Sequence, residues 1–267
     1  MTRPLILLTN DDGVNSPGLA ASAAALAPLG DLLIVAPTEQ QSGMGRSFPQ
    51  SNDGRLFETT IRYNGQQWAA YGANASPAQA VQHAVLELAD RVPDLAVSGI
   101  NYGENVGVGV TASGTVGAAL EAAGHDIPAL AISLEVDSSL HYSYDDSVDF
   151  ETAIHFTRLF AERWLGTERH PGVDVLKIDI PASATPQTEW RITTLERAQY
   201  FVPLPPLRRS LGDVGRIGYE MNRKVLLDDR SDAAVVRAGL VAVTPLTLDI
   251  TAHGHDSTLR HLLNGDH

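Results

Sequence analysis

A run of five residues from Leu5 to Thr9 is almost wholly apolar and gives way at once to Asn10-Asp11-Asp12-Gly13. Short apolar runs of this kind alternate with helix-like stretches as far as about residue 135, the pattern of βαβ units around a mostly parallel sheet. Ser16-Pro17 is an N-cap followed by proline at the first helical position, so an alanine-rich helix is predicted to about Leu29, with Gly30 as its stop. Leu32 to Ala36 predicts the second strand. Residues 37–50 are polar, contain Gly43 and Gly45, and make too long a loop for a plain connection, which marks them as functional. Trp68 to Tyr71 predicts a short strand, Ser76-Pro77 a second helix start running to about Ala89, and Leu95 to Ser98 another strand. Glycines then gather at 99, 103, 107, 109 and 114. A small-residue helix is predicted over Thr115 to Ala123, a buried strand over Pro128 to Ser133, a helix over Tyr144 to Trp164 and a strand over Val173 to Ile180.

Pro181 ends this pattern, and residues 1–181 are expected to form an α/β core. Residues 182–267 read differently. Thr188 to Val202 is β-like, Pro203-Leu204-Pro205-Pro206 breaks it, and Gly212 to Leu227 suits a hairpin or an extended arm that packs on another subunit. A helix from Asp232 and a strand over Leu240 to Leu246 then return the chain to the core. No repeat is visible.

Of the 267 residues 43% are hydrophobic, enough to fill a core. The chain has no cysteine, so disulfides, thiolate zinc sites and a cysteine nucleophile are excluded, and a metal could find only oxygen or imidazole ligands. No stretch approaches the ~20 apolar residues of a membrane span, and Met1-Thr2-Arg3-Pro4 leads straight into a strand without a secretory leader, so a cytoplasmic protein is expected. A formal charge of −13 opposes binding to polymeric nucleic acid or an anionic membrane as a main partner. Lysine occurs only at 177 and 224 against 32 acidic residues, which suits a salt-rich cytoplasm, although a GC-rich genome would also deplete lysine.

The candidate chemistry lies where strands end. Strands of a parallel sheet share a direction, so the loops after Leu5–Thr9, Leu32–Ala36 and Leu95–Ser98 should converge at one edge. They carry Asp11 and Asp12, then Ser42, then Asn101. Consecutive strand residues point to opposite faces, so both aspartates reach one ion only if the chain turns, and Gly13 makes that turn cheap. Four oxygen donors of this kind suit a hard octahedral cation with positions left for water and a substrate oxygen. Ser113-Gly114-Thr115 opens the following helix, whose unpaired N–H groups and dipole attract an anion such as phosphate. A cation beside such a terminus meets the main demand of phosphoryl transfer to water.

The runs LLTNDDGVNSPG, VAPTEQQSGMGRS, PDLAVSGINYGENVG and SGTVGAALEAAG, in this order, resemble the SurE family of stationary-phase survival proteins, with VLKIDIP and GLVAVTPL matching later in the chain. That family consists of metal-dependent phosphatases of nucleoside monophosphates, acting as 5′/3′-nucleotidases. The resemblance implies a Rossmann-like core with a β-rich extension that reaches a neighbouring subunit, giving homodimers or homotetramers. It implies one divalent cation per subunit, Mg²⁺, Mn²⁺ or Ca²⁺, on Asp11, Asp12, Ser42 and Asn101. Asn105, Ser113 and the Gly114 amide match positions that contact phosphate, with Thr115 beside them. Two departures bear on substrate preference. Gln79 stands where the family usually has an acid, and Ala112 where it usually has an aromatic residue before Ser-Gly-Thr.

Asp11 is the better candidate for orienting an attacking water, and direct attack is preferred to an aspartyl-phosphate, for which metal ligation would compete. Gly107-Val108-Gly109-Val110-Thr111-Ala112 is too far past its strand to be a dinucleotide fingerprint. No Walker A run exists, and adjacent aspartates do not fit a haloacid-dehalogenase-like phosphatase. A noncatalytic nucleotide or phosphate sensor would use the same residues. His125, His141, His253 and His255, and the pairs Asp145-Asp146 and Asp228-Asp229, are read as surface residues without ligand spacing.

Overall fold

A computed structural model describes residues 3–141, 144, 147–168, 170–222, 224–254 and 256–264; His255, Asp145 and Asp146 lie outside them. Nine strands form one sheet. Strands β1 (Leu5–Thr9), β2 (Asp31–Pro37), β5 (Leu95–Tyr102), β6 (Ala129–Leu134) and β7 (Val175–Ile180) make its parallel centre. On one side β4 (Gln66–Ala73) pairs parallel with β2, and β3 (Leu56–Tyr63) pairs antiparallel with β4. On the other, β11 (Val241–Leu246) runs antiparallel to β7, with β8 (Trp190–Ile192) beyond it. The order is β3-β4-β2-β1-β5-β6-β7-β11-β8.

Alternation along β1 sorts the core into two layers. Ile6 and Leu8 face α1 (Pro17–Leu26) and α4 (Glu151–Leu165), in a cluster with Leu19, Leu26, Phe156 and Phe160. Leu7 faces α2 (Pro77–His83) and α3 (Gly114–Gly124), among Ala80, Val81, Val116 and Ala119. Helices thus cover both faces of the central strands, which is why those strands read as unbroken apolar runs. Phe156, among the largest fully buried side chains, anchors the first layer, where truncation to alanine would remove about 3–5 kcal/mol.

Several boundaries depart from the expected ones for visible reasons. α1 stops at Leu26, because Pro28 has no N–H to continue it; Arg158 takes up the Ala24 and Ala25 carbonyls and Arg3 that of Ala27. α4 begins at Glu151, whose N–H is held by the Asp149 carboxylate, while Tyr144 serves elsewhere. β3 was not foreseen. It is a largely exposed edge strand joined to β4 through Asn64-Gly65, both at positive φ, the turn chemistry of a tight hairpin.

Past Pro181 the chain adds β8 to the sheet edge, forms a separate antiparallel ribbon of β9 (Phe201–Leu204) and β10 (Gly218–Met221), and returns through α5 (Asp232–Arg237) to β11. The ribbon and its loop carry exposed Leu207, Leu211, Val214, Ile217 and Tyr219. A last helix, α6 (Asp256–Asn264), follows. Among the described residues no helix is long and apolar enough to cross a membrane.

Candidate active site

From β1 the chain moves outward to β2 and β4, then recrosses to place β5 on the other side of β1. That reversal opens a crevice at the carboxyl ends of β1 and β5, where open α/β sheets bind ligands. Asp11 and Asp12 stand there at 4% and 2% exposure. Asn10 makes the turn by exchanging two 3.1 Å bonds with Gly13, whose φ is +98°.

Asp11 lies against the start of α3. Thr115 Oγ1 donates to Asp11 Oδ1 at 2.5 Å, and a Cβ on Gly114 would come within 2.6 Å of the Asp11 Cβ, so only glycine permits this approach. Burial raises the Asp11 pKa, opposed by the Thr115 hydroxyl and the amides of Gly114 and Thr115. Asp12 is pushed well above the usual carboxylate range, first by burial and then by the charge of Asp11. Its oxygens accept from Gln40 Nε2 at 3.0 Å and from the Tyr102 amide at 3.2 Å.

The second loop is tied to the first by the Gln41 amide, which donates to Asp11 O at 2.7 Å; Ser42 follows on an exposed stretch. The same loop is pressed onto α3. Gly45 N donates to Ala112 O at 2.9 Å, a Cβ on Gly117 would sit 2.3 Å from Gly45, and Arg46 pairs with the buried Glu121 at 2.7 Å. Asn101 lies within β5 itself, past an irregularity in the β5–β6 pairing between Ser98 and Asn101. Its amide nitrogen is committed to Gly103 O at 2.7 Å, so oxygen is what it can offer an ion.

Asn105 Nδ2 donates to Ser133 Oγ at 2.9 Å, and Ser113 caps α3 by accepting the Val116 amide at 3.1 Å. Asp11 is therefore in contact with Gly114 and Thr115, and Asp12 is its neighbour along the chain. Ser42 and Asn101 are each one residue from a backbone amide bonded to the aspartate pair. Ser113 precedes Gly114, and Asn105 sits further along the edge at β6.

Sequence reasoning missed three contributors. Gln40 also donates to His141 O at 2.8 Å, Tyr144 Oη donates to Asp12 O at 2.6 Å, and the half-buried His141 ring lies against Gly103, where a Cβ would meet it at 2.8 Å. Burial lowers the His141 pKa. His141 is therefore not the surface residue its sequence surroundings suggested, because it packs against Gly103, while His125 and His253 pair with Glu121 and Asp249. A cavity of ≈ 410 Å³ opens nearby, lined by Val14, Ser16, Arg62, Tyr63 and Phe150 among others, but the aspartates do not line it.

The donor set suits one kind of cofactor. Among the described residues, no group of three or more His, Cys, Asp or Glu side chains converges to hold a metal. What converges is two buried carboxylates, with no cationic side chain among the influences on either pKa. A hard divalent ion that keeps several waters and needs only one or two carboxylates fits this arrangement, whereas a structural zinc site does not.

The family model described as Survival protein SurE matches residues 6–201. The chain belongs to the SurE family. The protein named 5′-nucleotidase SurE from Thermococcus kodakarensis is 36% identical over 261 residues, covering 97% of this chain and 98% of that one. The one from Methanothermobacter thermautotrophicus is 43% identical over 218 residues, 80% of each chain. The crystal structure of the SurE protein from Aquifex aeolicus superimposes with a TM-score of 0.75 at 27% identity, over 97% of this chain and all of that one. The SurE match takes in all three loops and α3.

Gln79, the departure from the family's usual acid, is the reciprocal partner of Ser76 in the box that caps α2 and also binds Asn52 and Pro49 O. It braces the 49–52 loop without adding charge. Ala112, the other departure, is exposed and offers the site only its backbone.

Proposed function

We propose that this chain is a phosphoric monoester hydrolase that cleaves nucleoside 5′-monophosphates to nucleoside and phosphate, with one divalent cation per subunit held by Asp11, Asp12, Ser42 and Asn101. The observation that carries the reading is the contact of Asp11 with the first turn of α3, which sets a carboxylate pair beside an anion-attracting helix terminus. The names of the relatives supply the substrate class.

The bound ion would supply positive charge to the phosphoryl group and make water a better nucleophile at neutral pH. Ser113, the Gly114 amide and Asn105 are the phosphate contacts, holding the equatorial oxygens while the ester oxygen points away from Asp11. Asp11, fixed by Thr115, orients the attacking water and accepts its proton. Water oxygen bonds to phosphorus as the P–O ester bond breaks in line, and the nucleoside leaves as an alcohol after taking up a proton. Gln40 and the Tyr102 amide hold Asp12 in register with Asp11. The exposed apolar side chains of the β9–β10 ribbon support assembly into homodimers or homotetramers. We place the enzyme in the cytoplasm, where nucleoside monophosphates are made and consumed.

Hydrolysis of an aryl phosphate and of a panel of nucleoside monophosphates, with added Mg²⁺ or Mn²⁺ and after chelation, tests this. Cation-dependent release of phosphate is expected. Tight nucleotide binding without turnover would instead identify a sensor.

A further inference from the structure

Lys177, one of only two lysines, is completely buried, as are the two carboxylates it touches: Asp179, two residues on along β7, and Asp232, the first residue of α5. Its ammonium is in close contact with Asp179 and lies 3.0 Å from Asp232 Oδ2. Burial works against the ammonium, but the two aspartates overcome it and hold the lysine pKa above its ordinary value. Such a cluster is a poor source of stability, because desolvating three charges offsets most of their attraction, and apolar replacements are often neutral or better.

The hydrogen bonds around the cluster show what it holds. Asp179 Oδ1 accepts the amide of Asn105 at 2.7 Å, and Asp232 Oδ2 accepts the amide of Gly107 at 2.9 Å. Between them Val106 is buried against Tyr200, Ala233 and Val236. Gly107 takes a φ of +63°, with space for no Cβ beneath Glu196 O. Asp232 Oδ1 meanwhile accepts the amides of Glu196 and Ala233. Residues 105–107 are thus pinned by charges on β7 and α5.

We propose that the Asp179–Lys177–Asp232 cluster is a positioning device for the phosphate-binding loop, fixing Asn105 and Gly107 before substrate arrives. Asn105's part in phosphate binding belongs to the function proposed above, and the inference rests on it. Lys177 keeps two carboxylates side by side that would otherwise repel, and each carboxylate spends one oxygen on a loop amide. Substrate affinity then depends on three residues that never touch substrate.

Asp232→Asn turns an amide nitrogen either toward Lys177 and Gly107 N, which share Oδ2, or toward the Glu196 and Ala233 amides on Oδ1, and in both orientations it removes the charge that pairs with Lys177, so the pinning at 107 is weakened. In folded D232N, KM for nucleoside 5′-monophosphate and the inhibition constant of inorganic phosphate should both rise ~10-fold or more, about 1.4 kcal/mol of lost binding, with kcat changed far less. Lys177→Met should do the same, and Lys177→Arg, which keeps the charge, should recover much of the loss. Folded D232N with KM and phosphate inhibition within about twofold of wild type overturns the proposal. Should the variants not fold, hydrogen exchange of the wild-type protein decides it. The amides of Asn105 and Gly107 should exchange as slowly as those of central β7 without phosphate and gain little when it is added. Rapid exchange until phosphate binds overturns the proposal. That measurement needs no turnover, so it separates failure of the clamp from failure of the nucleotidase reading.

Discussion

Asp11 meets the first turn of α3 through its side chain, so a change of one atom there is expected to separate chemistry from folding. Asp11→Asn keeps the shape but loses the proton acceptor, and turnover should fall by ~10² to 10⁴-fold with the melting temperature nearly unchanged. Retained turnover in the purified variant would refute the assigned role. Glu104, next to Asn105, offers a pH test. Burial first, with Glu135 and Asp179 adding to it, pushes its pKa from 4.5 to about 7. The folded state therefore holds this proton more tightly than the unfolded chain. The stability it contributes is full below pH 4.5 and is lost as pH rises through 7, by up to about 3 kcal/mol. Glu104→Gln should flatten the melting temperature between pH 5 and 8, and an unchanged slope would contradict this. Asp11 and Asp12 were legible because an apolar run ends on them. Gln40 and Tyr144 were not, since they reach Asp12 from 28 and 132 residues away and no local pattern encodes such contacts.

At the scale of elements, the site depends on how closely α3 approaches its neighbours. Gly117 lets the 41–46 loop lie on the helix, and a methyl group there would drive Gly45 and Arg46 away, carrying Ser42 with them. Gly117→Ala should therefore reduce turnover at least ~10-fold even though alanine favours the helix by about 1 kcal/mol; wild-type turnover would show that the loop's position does not matter. The periodic elements of the core were readable because parallel strands buried on both faces leave continuous apolar runs between helices. β3 was not, because an edge strand with one exposed face and the charges Glu58 and Arg62 lacks such a run, although Asn64-Gly65 marked its turn. The extension of β5 to Tyr102 escaped notice for the opposite reason. Glycine at 99 and 103 reads as loop, yet the strand resumes after an irregularity and sets Asn101 beside Tyr102, whose amide binds Asp12.

Across the whole molecule, 32 acidic residues stand against 19 basic ones, and like charges on the surface oppose the compact state. Added salt screens charges more than ~10 Å apart at 0.1 M, so the melting temperature should rise by several degrees between low and molar KCl. No gain would dissociate the acidic composition from salt adaptation. The ribbon loop, with Leu207 at 97% and Leu211 at 93% exposure, bears on assembly: sedimentation should find a dimer or tetramer, and removal of residues 205–217 should weaken it. A monomer at micromolar concentration would leave that surface without its assigned role.

The proposed chemistry requires two buried carboxylates and two neutral oxygens to share one ion. Titration of Mn²⁺ into the purified protein, followed by electron paramagnetic resonance of the free ion, reads this without any substrate. One Mn²⁺ per chain is predicted for the wild type, with binding lost in Asp12→Asn while the fold remains. An undiminished site in that variant, or no bound Mn²⁺ in the wild type, would contradict the account.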